Sequence, residues 1–201
     1  MNSDTKNIAV LISGSGTNLQ ALIDNQDKFN GEIKLIISSK EDAYGLERGK
    51  KAGIKSVFER DNDKILDLLL ENNISLIVLA GYLKILPKEL VAAYRNKIIN
   101  IHPSLIPSFC GMGYYGIKVH EAAIRRGVKI TGATTHFVNE GADEGPIIMQ
   151  KTVEVKEEDT PLTLQQKVLD VEHEILTKSV ELFTEDKIYV RDNRVFIRRQ
   201  N

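Results

Sequence analysis

Short, uninterrupted apolar runs recur along this chain, with helically spaced stretches between them. N-I-A-V-L-I spans Asn7 to Ile12, E-I-K-L-I-I-S spans Glu32 to Ser38, and shorter runs cover Ile54 to Phe58 and Lys97 to Ile101. The most apolar is I-S-L-I-V-L-A, Ile74 to Ala80. Runs of this length fit strands buried on both faces of a parallel sheet. Between them, helices are expected from Leu19 to Ile23, from Tyr44 to Ala52 with Gly53 as the stop, and over Lys64 to Glu71 with Asp61 as cap. Repeated strand–helix units predict an α/β, doubly wound, mostly parallel sheet with right-handed crossovers. Ligands in such sheets sit beyond the C-terminal strand ends. Ser13, Gly81 and His102 close three of these strands, so their surroundings are expected to open on one edge.

The second half departs from strict alternation. Pro87 suits the first position of a helix running to about Tyr94. A helix from Ile117 to Arg126 ends at Gly127. Lys129 to Val138 is a Thr-rich strand with one more polar face, and Ile147 to Val155 returns beside it as an antiparallel hairpin with Asp143 at its tip. Thr160 and Pro161 start a long C-terminal helix whose apolar stripe is Leu164, Val168, Val171, Ile175 and Leu176. Glu172 and His173 lie within it, where a solvated or satisfied surface pair is the plain expectation. A short hairpin at 187–198 turns at Asp192-Asn193. The expectation is one Rossmann-like domain over 1–201, with its core at about 7–184.

Composition narrows the function classes. The 201 residues carry a formal net charge of −1, which argues against a nucleic-acid or membrane-surface partner. One cysteine, Cys110, allows no internal disulfide and no cysteine-based zinc site. The N-terminus lacks a signal-peptide core, and no apolar run is long enough to span a bilayer, so a cytoplasmic protein is expected. The four histidines have no i,i+4 partner, and no metal set is evident.

Two stretches can carry chemistry. S-G-S-G-T-N at Ser13 to Asn18 links a strand to a helix, which can place backbone N–H groups around an anion. It is neither a P-loop nor the dinucleotide fingerprint. It reads equally as a plain strand–helix turn capped by Thr17 or Ser15. N-I-H-P-S-L-I-P at Asn100 to Pro107 sets an amide and an imidazole two positions apart, on one side of an extended segment. Such a pair can polarise a carbonyl: the amide donates to a developing oxyanion, and the imidazole titrates near neutral pH. Tyr82, Leu83, Ile85 and Leu86 either wall a pocket or pack under the next helix. The Ser108–Gly116 loop, with three glycines and three aromatics, reads as a flexible segment near a ligand.

S-G-S-G-T-N-L-Q, V-L-A-G-Y-L-K-I-L, I-N-I-H-P-S-L-I-P-S-F and G-A-D-E-G-P-I-I, in order from about Ile8 to Phe183, resemble the folate-dependent phosphoribosylglycinamide formyltransferases. The resemblance implies transfer of a formyl group from 10-formyltetrahydrofolate to the amine of glycinamide ribonucleotide, without a metal, in a monomer or homodimer. It places Asn100, His102 and Asp143 as the catalytic three, with an imidazolium at His102 favoured by Asp143. Gly14, Ser15, Gly16, Thr17 and Asn18 would hold the substrate phosphate, and Glu172 its ribose end. Leu83, Lys84, Ile85, Val138, Asn139, Glu140 and Gly141 would line the folate pocket, with His136 in support. Cys110 stands where many relatives have Pro and is expected to be an ordinary small side chain. A related tRNA formyltransferase would need a further C-terminal domain, and a formyltetrahydrofolate hydrolase an N-terminal one. A non-catalytic nucleotide-binding module would have no need of the Asn–His–Asp set.

Overall fold

The computed structural model describes residues 5–198. Its strands and helices alternate as β1 (Lys6–Ile12), α1 (Thr17–Asp24), β2 (Gly31–Ser38), α2 (Tyr44–Lys51), β3 (Lys55–Phe58), α3 (Asn62–Glu71), β4 (Leu76–Leu79), α4 (Lys88–Ala93) and β5 (Ile98–His102). There follow α5 (Ile117–Arg126), β6 (Ile130–Phe137), β7 (Ile147–Glu154), α6 (Pro161–Thr184) and a separate hairpin, β8 (Ile188–Arg191) and β9 (Arg194–Ile197). The main sheet has the order β3-β2-β1-β4-β5-β6-β7, parallel through β5 and antiparallel for β6 and β7. This is the doubly wound, mostly parallel α/β fold expected from the apolar runs.

Successive residues of β1 feed opposite faces, as a strand requires. Ile8, Val10 and Ile12 join a cluster with Leu19, Leu164, Val168 and Leu176. Ala9 and Leu11 join another with Ile65, Leu69, Leu90 and Val91. Helices α1 and α6 therefore cover one face, and α3 and α4 the other. Strand order reverses between β1, whose successor β2 lies on one side, and β4 on its other side. A crevice opens at such a reversal. Ser13 bridges it: the Leu83 N–H donates to its hydroxyl at 2.9 Å, and the hydroxyl shares a hydrogen bond with Ser39 at 2.7 Å. Ser13 is thus a buried structural tie, outside the anion turn.

Several local expectations change. Neither Thr17 nor Ser15 caps α1. Gly16 stands at the N-cap in the left-handed region (φ 72°), with no side-chain cap. A Cβ there would meet the Gly45 Cα at 2.7 Å, so α2 packs against the turn itself. Pro87 is the cap residue of α4, one position earlier than expected. Strand β6 has no polar face exposed: Thr131, Thr134 and Thr135 are all buried. Two of its hydroxyls bond internally, Thr134 donating to the Ser104 carbonyl and Thr135 bonding Ser179. Thr160 caps α6 in a capping box with Thr163, as its sequence suggested.

Candidate active site

Asn100 and His102 lie within β5, one strand repeat apart, and Ile99 and Ile101 between and before them turn to the other face. Backbone ladders hold β5 on both sides, Asn100 pairing with Leu79 of β4 and His136 of β6. The backbone that carries the amide and the imidazole is therefore fixed by the sheet.

Asp143 arrives by another route. Strand β6 runs antiparallel to β5 and ends beside Ile99, on the N-terminal side of Asn100. The 138–146 segment must turn back along the sheet to bring Asp143 to the level of His102. It does so with Asp143 itself in the left-handed region (φ 58°), which Asp tolerates better than most residues. Gly145 lies so close to β6 that a Cβ would stand 1.7 Å from the Phe137 carbonyl oxygen.

The three side chains converge. Asn100 Nδ2 reaches Asp143 Oδ1 at 3.5 Å and His136 Nε2 at 3.1 Å. His136 Nδ1 is bonded to the Phe137 carbonyl at 2.9 Å. That bond puts a hydrogen on Nδ1 and leaves Nε2 to accept from Asn100. His136 thereby orients the Asn100 amide. Asp143 Oδ2 accepts from the Gly111 N–H at 2.8 Å and stands 3.6 Å from His102 Nδ1. His102 Nε2 donates to the Phe109 carbonyl at 2.9 Å.

Charge follows from these contacts. Burial pushes the Asp143 carboxyl up, yet the charge of a protonated His102 and the Gly111 N–H help to hold it below the ordinary carboxylate value. For His102 the balance differs from the expected imidazolium. Burial dominates and lowers its pKa, although Asp143 and the Phe109 carbonyl pull it up. The imidazole is hence neutral around pH 7. With Nε2–H on Phe109, its Nδ1 lone pair faces the carboxylate, an arrangement that welcomes one shared proton. Burial also lowers nearby His120, to about 4.

The other expected residues fall in two places. At the β1–α1 turn, Gly14 and Ser15 are exposed while Gly16 and Asn18 are buried. Asn18 Nδ2 donates to Glu172 Oε2 at 2.7 Å, joining α1 to α6. Glu172 is satisfied by that bond, but it is not the surface residue expected. It is 8% exposed, and burial drives its pKa up to about 7 against the pull of Asn18. Asn18 Oδ1 is buried without a hydrogen-bond partner. Beyond β4, Tyr82 and Leu86 pack inward, whereas Leu83 and Ile85 are 54% and 76% exposed. Tyr82 and Leu86 thus follow the packing reading, while Leu83 and Ile85 face outward. The Lys84 ammonium donates to the Arg60 carbonyl at 2.6 Å. Val138 packs with the α3–α4 cluster, Asn139 accepts from the Gly141 N–H, and Glu140 pairs with Arg95.

Reading residues alone missed the partners supplied by backbone, the Phe109 carbonyl and the Gly111 N–H, which leave no sequence signal. Cys110 donates to the Pro107 carbonyl at 3.3 Å, and burial with Asp143 and Glu144 raises its pKa, so it is no activated thiol. An open cavity of about 700 Å³ adjoins Asp143, lined by Cys110, Gly111, Pro146 and Ile147 and, from the C-terminal hairpin, Arg194.

A family model described as "Formyl transferase" matches residues 6–180. The chain belongs to the formyl transferase family. Within that family it groups with the phosphoribosylglycinamide formyltransferases. The one from Haemophilus influenzae is 40% identical, over 96% of this chain and 93% of its own length. The crystal structure of glycinamide ribonucleotide transformylase 1 from Symbiobacterium toebii superposes with a TM-score of 0.92 at 37% identity, covering 98% of this chain and 95% of that one. A formyltetrahydrofolate deformylase from Pseudomonas syringae shares the fold at 29% identity with a TM-score of 0.87. This chain covers 96% of its own length there and 66% of the deformylase. No helix among the described residues is long and apolar enough to cross a membrane.

Proposed function

We propose that the chain transfers the formyl group of 10-formyltetrahydrofolate to the primary amine of glycinamide ribonucleotide, in purine biosynthesis. The observation that carries this reading is the convergence of Asn100 and His102 on a carboxylate, Asp143, that the fold holds ionised beside them. The amine attacks the formyl carbon, forming a C–N bond and placing the carbonyl electrons on oxygen. Asn100 turns the hydrogen of its long 3.5 Å contact with Asp143 toward that oxyanion. His102 gives up its bond to Phe109 and adds Nε2–H to the same oxygen; a proton shared with Asp143 at Nδ1 makes that donor stronger. Asp143, directly or through water, takes the proton from the attacking nitrogen and returns it to N10 of the folate as the C–N10 bond breaks. The products are the formylated ribonucleotide and tetrahydrofolate.

Residues 14–18 hold the substrate phosphate, with Asn18 and Glu172 at the ribose. Leu83, Lys84, Ile85 and the 138–141 segment border the folate. The exposed Leu83 and Ile85 support this assignment, since apolar side chains facing outward beside a crevice suit a flat heterocycle. One formyltransferase domain over 1–201 and a cytoplasmic location complete the reading.

The test is the absorbance change of a formyl folate mixed with the protein, with and without glycinamide ribonucleotide. Deformylation only when the amine is present, surviving EDTA, is expected. Deformylation without the amine would make the chain a hydrolase, the reaction in the name of its P. syringae neighbour. No turnover in either tube from folded protein would remove the catalytic reading altogether.

A further inference from the structure

Both carbonyls at the head of the anion turn are occupied by α2. The Gly45 N–H donates to the Gly14 carbonyl at 3.1 Å. Arg48 Nε donates to the Ser15 carbonyl at 2.8 Å, and its Nη1 donates to Gln20 Oε1 of α1 at 3.0 Å. The guanidinium also lies over the Tyr44 ring, 5.0 Å from its centroid. Arg48 is thus engaged with the turn, with α1 and with its own helix, in the forked geometry that a guanidinium supports and an ammonium does not.

In a planar trans peptide the C=O and the following N–H point in opposite directions. Drawing the Gly14 and Ser15 carbonyls toward α2 therefore aims the Ser15 and Gly16 N–H groups away from it, into the mouth of the turn. Close packing permits this. Gly45 has no room for a side chain, since a Cβ would meet Ile12 Cδ1 at 2.3 Å, and the Gly16 contact described above comes from the same helix face. Two backbone donors are aimed by two contacts from a helix that need not touch the ligand.

We propose that Arg48 is a positioning residue for the substrate phosphate: it fixes the Ser15–Gly16 peptide so that its N–H faces the anion, and it withdraws the Ser15 carbonyl from that anion. The inference rests on the reading that residues 14–18 hold the phosphate. It extends the site to a side chain on the second helix, which the turn motif does not contain. Its effect falls on the ribonucleotide and spares both the folate and the formyl transfer.

The experiment compares wild type, Arg48→Met and Arg48→Lys with glycinamide ribonucleotide and with its dephosphorylated riboside. Arg48→Met is expected to raise KM for the ribonucleotide about tenfold, with kcat and the KM for formyl folate within twofold of wild type. Its preference for the phosphorylated substrate shrinks correspondingly. Arg48→Lys keeps the charge but reaches one oxygen at a time, so it recovers only part of the loss and serves as the readout if the Met protein fails to fold. Wild-type KM in Arg48→Lys overturns the proposal, because charge alone would then suffice. Equal losses on ribonucleotide and riboside in both variants overturn it as well. If wild type itself does not distinguish the two substrates, the phosphate reading of the turn falls; if wild type does and the variants do so equally, the turn stands and the role of Arg48 falls.

Discussion

Replacing Glu172 by Gln should make the protein's stability less sensitive to alkaline pH. The carboxyl is buried on α6 and has a folded-state pKa of about 7 against 4.5 for the free group. A raised pKa means that the folded state binds the proton more tightly than the unfolded state. Stability is lost as pH rises from 4.5 through 7, the opposite of the usual carboxylate. With 1.36 kcal/mol per pKa unit, this group costs about 1 kcal/mol at pH 5.5 and about 3 kcal/mol at pH 8.5. Wild type therefore loses about 2 kcal/mol across that interval from Glu172 alone, or about 4–8 °C in Tm for a chain of this size. A Gln side chain keeps an oxygen to accept from Asn18 and carries no charge to bury. His102, His120 and His173, whose pKa values are lowered by burial, work in the other direction below pH 6.5, but they do so equally in both proteins. The assay is urea unfolding of wild type and Glu172→Gln at pH 5.5, 7 and 8.5 without ligand. The difference between the two should grow in favour of Gln by about 2 kcal/mol from pH 5.5 to 8.5. Parallel stability profiles would refute the buried, proton-holding carboxyl.

Other substitutions address the catalytic groups directly. Asn100→Ala should lower kcat by about 10²–10³-fold, the cost of one oxyanion donor, with an unchanged far-ultraviolet spectrum; steady-state kinetics decide it. Asp143→Asn should abolish most turnover while leaving Tm nearly intact, because Asn accepts the left-handed backbone at φ 58°; a collapse in Tm would mean that the carboxylate is chiefly structural. Gly145→Ala should reduce kcat by moving the Asp143 segment, since its Cβ cannot coexist with the Phe137 carbonyl 1.7 Å away, and a crystal structure of the variant should show the 138–146 segment displaced.

The layout of the sheet was readable because four of the five apolar runs form strands inside the sheet with mostly buried residues, a requirement that few other environments impose; the fifth, β3, lies at the edge and is only half-buried. Asn100 and His102 were readable for a related reason: two polar residues interrupt a buried strand with its own period. Glu172 was not. Its neighbours on α6 alternate polar and apolar at helical spacing, and nothing local reveals that Asn18, 154 residues away, will close over it. The charge state of His102 escaped for the same cause, since the desolvation that outweighs Asp143 comes from the assembled fold. Arg48 did leave a trace. Gly45 and Gly49 stand one helical turn apart, and such a bare stripe marks a helix that approaches backbone closely; Gly49 meets Ser56 and Ile36 just as Gly45 meets Ile12 and the turn. The polar character assigned to one face of β6 failed because threonine hydroxyls found buried acceptors and the strand lies inside the sheet.

The contact between Gly16 and Gly45 also bears on what could be transplanted. The six residues S-G-S-G-T-N look self-contained, yet their backbone is held from across β2 by a helix that begins at Tyr44. Grafting the hexapeptide onto another strand–helix junction would carry over its residues without their conformation. The smallest portable unit runs from Lys6 to Lys51, with β2 setting the offset between turn and helix through its ladder with β1. A designer who wanted this anion pocket elsewhere would have to move that whole β-α-β-α block. An evolving gene would meet the same constraint: inserting or deleting a residue in β2 would shift α2 past the turn and change the pocket without touching its motif.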